Sequence, residues 1–112
     1  MNRAVLAEGL SFAKRYGLDP HTMLNVLRSG AAYSRAMDVK GPKMLAEDFA
    51  PEARLAQHHK DVKLILDAAR THGATTPLSE LHESLLASLV DRGLGDLDNS
   101  AVIRAFDGSQ TR

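Results

Sequence analysis

An apolar repeat in the middle of the chain constrains the fold more than any other feature. Leu55, Val62, Leu66 and Ala69 recur at steps of three, four and seven, with His59 between them. That spacing lines one face of an α-helix, because 3.6 residues make a turn. Ile65 and Ala68 widen the stripe, while Lys60, Lys63, Asp67 and Arg70 fall on other faces. Gly73 stands where a left-handed cap closes a helix, and Arg70 and His72 sit in the last turn beside the carbonyl ends. The stretch from Phe49 to Gly73 is the longest uninterrupted helical pattern in the sequence, and a helix of this length needs other helices to bury its stripe.

Such helices are legible on both sides. Val5, Leu6, Leu10, Phe12 and Ala13 give residues 3–16 a broad apolar face that ends at Gly17. Asp19-Pro20 is a helix start, with Asp19 as N-cap and Pro20 at the first helical position. That helix runs through Met23, Leu24, Val26 and Leu27 to Ser29-Gly30. A weaker helical segment covers Ala31–Val39, and Pro42–Ala46 adds a turn. Asp48 to Ala53 reads as a loop. Thr76 and Pro77 start a further helix, whose expected stripe is Leu78, Leu81, Leu85 and Leu89 with Leu86 and Val90 alongside. Gly93 and Gly95 end it. Asp98 is the expected N-cap of a last helix, Asn99 to Phe106, and residues 107–112 are expected to form a flexible tail. No alternating strand pattern and no internal repeat interrupts this order. The expected architecture is all-α, a bundle of five to six helices.

Composition excludes several functions. The 112 residues fit one domain. Fourteen Lys+Arg balance fourteen Asp+Glu, so no global charge argues for nucleic acid or an acidic membrane as partner. With no cysteine, disulfides, thiolate metal sites and thiol nucleophiles are ruled out. No apolar run approaches the ~18 residues of a membrane span. The N-terminus lacks the apolar core of a signal peptide, so a cytoplasmic protein is expected. The first helix begins without an N-cap, leaving N–H groups unpartnered. That start fits either fraying at a natural terminus or a chain cut within a longer helix.

Candidate sites are few. His58 and Asp61 share a helix face but His59 points elsewhere, so no metal site is expected. No Gly-x-Ser-x-Gly elbow frames a serine. Gly93-Leu94-Gly95 follows no strand and reads as a helix end rather than a phosphate loop. Lys60-Asp61 stands out: on most helices such a pair is a solvated face, but an ammonium facing a cleft would meet a cofactor's amide, hydroxyl or phosphate oxygens.

The ordered set Ala7-Glu8-Gly9-Leu10, Gly17-Leu18-Asp19-Pro20, Asp48-Phe49, Lys60-Asp61, Pro77-Leu78 and Gly93-Leu-Gly-Asp-Leu-Asp98-Asn-Ser100-Ala101 resembles the C-terminal domain of the β-hydroxyacid dehydrogenases, the family of 3-hydroxyisobutyrate dehydrogenase and tartronate semialdehyde reductase. The resemblance spans about Arg3 to Phe106. It implies the helical domain that follows an N-terminal Rossmann domain, similar to that of 6-phosphogluconate dehydrogenase. In that family a long helix links the domains, and its first turns carry the catalytic lysine and then an asparagine pair. Glu8 matches a later part of that helix, so Asn2 is not the substrate-binding asparagine and this chain is expected to hold no catalytic residue. The resemblance carries Lys60 over as the residue reaching the nicotinamide of NAD or NADP, with Asp61 orienting Lys60 or the local helix and Phe49 on the substrate side. A homodimer or higher homo-oligomer with the first helix in the interface is expected, because the apolar face of residues 4–13 would otherwise stay partly bare, and the resemblance implies a domain inactive alone. The alternative is a free-standing helical dimerisation module without a cofactor role. Arg54 departs from the family pattern, which often has an apolar or aromatic residue there, and so does Ala56, near which the family often has an acidic one.

Overall fold

The computed structural model describes residues 1–106, so the expected flexible tail 107–112 lies outside the described residues. Six α-helices follow one another: α1 Asn2–Arg15, α2 Pro20–Arg28, α3 Arg35–Val39, α4 Gly41–Ala46, α5 Leu55–Thr71 and α6 Pro77–Asp91. A 3-10 helix, Asn99–Phe106, closes the order. The all-α bundle expected from periodicity is what forms. Two local differences stand out. Only Arg35–Val39 of the weak third segment is helical, and the last helix winds as 3-10 rather than α.

The helix ends follow their capping residues. Asp19 accepts hydrogen bonds from His21 N at 3.2 Å and Thr22 Oγ1 at 2.9 Å, which satisfies the open start of α2. Gly17, Gly73 and Gly93 take positive φ at the ends of α1, α5 and α6, where a Cβ would be strained. Thr76 occupies the N-cap position of α6, but its side chain makes no capping bond.

The α5–α6 hairpin is joined by residues 72–76, and the 3-10 helix packs against both helices and against α1. Ala4, Ala7 and Ala101 lie in the core with Leu6, Leu10 and Val102, and small residues there let the 3-10 helix approach α1 closely. Leu55 and Val62 bring α5 into the same cluster, and Leu86 and Leu89 bring α6.

The buried stripe of α6 differs from the expected one. His82, Leu86 and Leu89 are buried, whereas Leu78 and Leu81 are 69% and 60% exposed. On α5, Leu64 and Ile65 are exposed too. Leucine spacing alone does not select the buried face of this helix. The burial is set by where the third layer lies: Leu86 and Leu89 belong to a cluster with Ala101 and Val102, while the other end of the hairpin has less to pack on. Two helices alone bury only the strip between them, so the flanks of a wide apolar face stay wet.

The α5 helix has no side-chain N-cap. Backbone carbonyls take that role: Leu55 N donates to Leu97 O at 2.8 Å and Ala56 N to Gly95 O at 2.9 Å. A Cβ on Gly95 would stand 3.2 Å from the Ala56 Cβ, so glycine is needed for this close approach. The Gly93-x-Gly95 pair is thereby explained as a helix end followed by a backbone contact.

Asp98 anchors that turn. It is fully buried, and its carboxylate accepts from Lys40 Nζ at 3.0 and 3.1 Å. It also accepts from the backbone N–H groups of Glu52, Ala53 and Ser100 at 3.0, 3.1 and 3.0 Å. Burial pushes its pKa up, but the bonds from Ser100, Glu52 and Ala53 outweigh burial and hold it well below the usual carboxylate range. Asp98 is thus more than the expected N-cap, since it ties the α3–α4 junction and the loop before α5 to the start of the 3-10 helix.

Two substitutions on α6 separate the observed stripe from the leucine count. Leu86→Ala is expected to cost about 2–5 kcal/mol in urea unfolding, and Leu81→Ser less than about 0.5 kcal/mol. Equal costs would contradict the burial pattern. Asp98→Asn, which leaves the buried Lys40 only the exposed Glu52 carboxylate at 3.8 Å, is expected to cost about 3 kcal/mol by the same measurement.

Candidate functional site

The middle of α5 divides into an anchored face and an open one. Val62 and Leu66 are buried, and Lys60, Leu64 and Asp67 lie on the face away from them. Lys60 is exposed, and among the described residues no carboxylate lies within ion-pair distance of its ammonium. Leu64, one turn on, is 66% exposed. An unpaired ammonium thus stands beside bare hydrocarbon on a rigid helix. That combination offers a hydrogen-bond donor to an oxygen acceptor next to an apolar contact.

The other expected site residues are placed differently. Asp61 accepts a hydrogen bond from Gln57 Nε2 at 3.2 Å, so its carboxylate braces the first turns of α5 rather than pairing with Lys60. Phe49 is 8% exposed, and the guanidinium of Arg104 lies 5.3 Å above its ring centroid. Phe49 therefore presents no open face and meets solvent through Arg104. Arg54 pairs with Asp96 at 3.2 Å and Ala56 packs against Gly95, so both departures from the family pattern fall where the Asp98 turn meets α5.

A second cluster was not foreseen. Arg3 of α1, His58 of α5 and His82 of α6 meet beneath the start of α1. Arg3 Nη2 lies 3.3 Å from His58 Nε2, and the two imidazole centroids are 5.2 Å apart. Burial, then Arg3 and then His82, lower the His58 pKa to about 4. Burial, then the N-terminal amine and then Arg3, lower His82 to about 4 as well. Arg3 Nε and His82 Nε2 are buried without partners. Single residues 24 positions apart on different helices carry no sequence signature, so only the packing brings these rings together. His59, by contrast, is the partly buried edge residue its position implied, and its Nε2 lies 2.8 Å from Glu83 Oε2. Among the described residues no group of three or more His, Asp or Glu side chains is placed to hold a metal ion, and no helix is long and apolar enough to cross a membrane.

The two lowered histidines set a pH dependence. Each binds its proton near pH 4 when folded and near 6.5 when unfolded. Above pH 6.5 both states are neutral and the rings contribute nothing. Between 6.5 and 4 the unfolded chain holds more protons, so stability falls as pH falls. The loss is expected to reach about 2 kcal/mol per ring by pH 5, read as a shift of the urea midpoint between pH 7 and pH 5. His82→Leu is expected to flatten that slope by about half, and an unchanged slope would contradict the burial of its ring.

The family described as NAD-binding of NADP-dependent 3-hydroxyisobutyrate dehydrogenase matches residues 1–106. The chain is 31% identical over 107 residues to 2-hydroxy-3-oxopropionate reductase of Escherichia coli, covering 96% of this chain and 37% of that protein. It is likewise 31% identical over 109 residues to glyoxylate/succinic semialdehyde reductase 2 of Arabidopsis thaliana, covering 97% and 30%. Among solved structures, a 3-hydroxyisobutyrate dehydrogenase from Salmonella typhimurium superposes with a TM-score of 0.88 at 26% identity, over 92% of this chain and 36% of that one. The chain therefore spans about a third of the length of these relatives. By sequence and by fold, this chain belongs to the NAD-binding family of NADP-dependent 3-hydroxyisobutyrate dehydrogenases.

Proposed function

We propose that the chain serves as the cleft-completing helical domain of an NAD(P)-dependent oxidoreductase similar to 3-hydroxyisobutyrate dehydrogenase. The observation that carries this reading is Lys60, an unpaired and exposed ammonium on the open face of a helix whose other face is locked into the core. Facing an N-terminal Rossmann domain, Lys60 binds the nicotinamide end of NAD or NADP, and Leu64 supplies the apolar contact. Asp61 acts on Lys60 indirectly, by holding the first turns of α5. Phe49 supports the substrate side as a buried packing residue. The cofactor supplies the hydride acceptor for the substrate carbinol. The general-acid lysine and the pyrophosphate-binding glycine loop belong to other segments in this family, so the domain alone is inactive. A cytoplasmic location accords with this reading.

The same domain carries the oligomer contact. Val5 and Phe12 on α1 and Tyr16 at its C-cap are 63%, 60% and 73% exposed, and they recur at helical spacing. Phe12 stacks on Tyr16 with ring centroids 5.6 Å apart. Exposed apolar stripes of this kind mark contact surfaces. This observation also favours the second reading, a dimerisation module without a cofactor role, and Lys60 discriminates between the two.

Fused to the N-terminal domain of the Escherichia coli reductase, the chain is expected to turn over with whichever of NADH and NADPH that domain accepts, and Lys60→Ala is expected to raise KM for the cofactor about tenfold or more, about 1.4 kcal/mol. An active fusion indifferent to Lys60→Ala would leave the dimerisation module as the better reading. By sedimentation the unmodified chain is expected to be dimeric and Phe12→Glu monomeric. A monomer at micromolar concentration would refute the α1 interface.

A further inference from the structure

A cleft of about 330 Å³ opens between the second half of α1, α4 and the 3-10 helix, away from the face of α5 that carries Lys60. Its floor is apolar, formed by Leu10, Met44 and Ile103. Its rim is cationic: Lys14, Arg15 and Arg104 line it against one carboxylate, Glu47. Among the described residues, Lys14 and Arg15 have no carboxylate within ion-pair distance. In part these two complement the carbonyl end of α1, but that role needs no apolar floor beside them.

Arg104 is positioned rather than free. Its guanidinium lies 5.3 Å above the Phe49 ring, and its Nη2 is 3.5 Å from Glu47 Oε1. Glu47 is the left-handed C-cap of α4, at φ 53°, so the end of that helix fixes where its side chain starts. The Arg104–Glu47 pair is solvated on both sides, 39% and 59% exposed, so it is weak enough for an incoming anion to compete with it.

We propose that this cleft is a binding site for a small amphipathic anion. The carboxylate or phosphate head pairs with Arg104 and with Lys14 or Arg15, and a short hydrocarbon chain lies along Leu10, Met44 and Ile103. The volume is at the lower end of the range of about 300–1,000 Å³ for small-molecule sites, which limits the ligand to a short chain. Guanidinium and ammonium groups favour an anionic head, and the aliphatic floor disfavours a fully polar ligand such as free phosphate.

The test titrates the full chain with octanoate, octyl phosphate and octanol, followed by two-dimensional NMR. Saturable shifts are expected at Leu10, Met44 and Ile103 with either anion, and the tighter of the two identifies the head group. Octanol is expected to bind at least about tenfold more weakly. Lys14→Gln with Arg15→Gln, on the exposed end of α1, is expected to weaken anion binding about tenfold, as is Arg104→Gln. Lys63→Gln with Arg70→Gln, a charge-matched change on α5, is expected to leave it unchanged. Because Arg104 packs on Phe49, the Lys14/Arg15 variant decides the matter if Arg104→Gln unfolds. Equal binding of octanol and octanoate, absence of shifts in the cleft, or affinity indifferent to Lys14 and Arg15 would overturn the proposal. None of these readouts involves Lys60 or a nucleotide.

Discussion

The carboxylate of Asp98 is the interaction on which the remaining structure depends. A buried charge is tolerable only when its oxygens are surrounded by donors. Here one ammonium and three backbone N–H groups converge on it, from Lys40, Glu52, Ala53 and Ser100. Apart from Ser100, in the first turn of the 3-10 helix, those donors come from junctions and loops with no regular structure to hold them. The loop before α5 is fastened by its own amides, and the turn after α6 is fastened by the carboxylate that receives them. The carbonyls of Gly95 and Leu97 then close the start of α5. The direction of α5, and with it the position of Lys60, follows from this knot rather than from hydrophobic packing alone.

The Arg3–His58–His82 cluster works against stability. Both imidazoles are kept neutral by burial, and two polar nitrogens lack partners. Each unsatisfied group costs free energy that an apolar residue would not. The arrangement nevertheless lies where α1, α5 and α6 converge, close to the Asp98 knot, and Asp98 counters the effect of burial on Arg3.

Much of the fold was legible. The Asp19-Pro20 and Thr76-Pro77 starts and the glycines after α1, α5 and α6 mark helix ends through local backbone chemistry, which needs no tertiary context. The site was legible in part. Lys60 stood out as a cation in an apolar stretch, and the structure leaves it exposed and unpaired. The cover that Arg104 and the core place over Phe49 was not legible, because residues 49 and 104 meet only in the fold. The pairing of Lys40 with Asp98 was not legible at all, because a lysine in a Lys-Gly-Pro turn and an aspartate 58 positions later look like surface residues until the chain brings them together.

The α6 stripe shows where the boundary lies. Helical periodicity determines that α6 is a helix and which residues share a face. It does not determine which part of a broad apolar face finds a partner. That was decided by the 3-10 helix, which packs where Leu86 and Leu89 are and leaves Leu78 and Leu81 in water. By itself, then, the sequence determined the helices, their ends, the all-α class and the exposed lysine on α5. The tertiary structure alone decided which charges are buried and paired, which histidines stay neutral and where the cationic cleft opens. The physical reason is range: capping and periodicity act over a few residues, whereas desolvation and ion pairing depend on groups that only folding brings within a few ångströms.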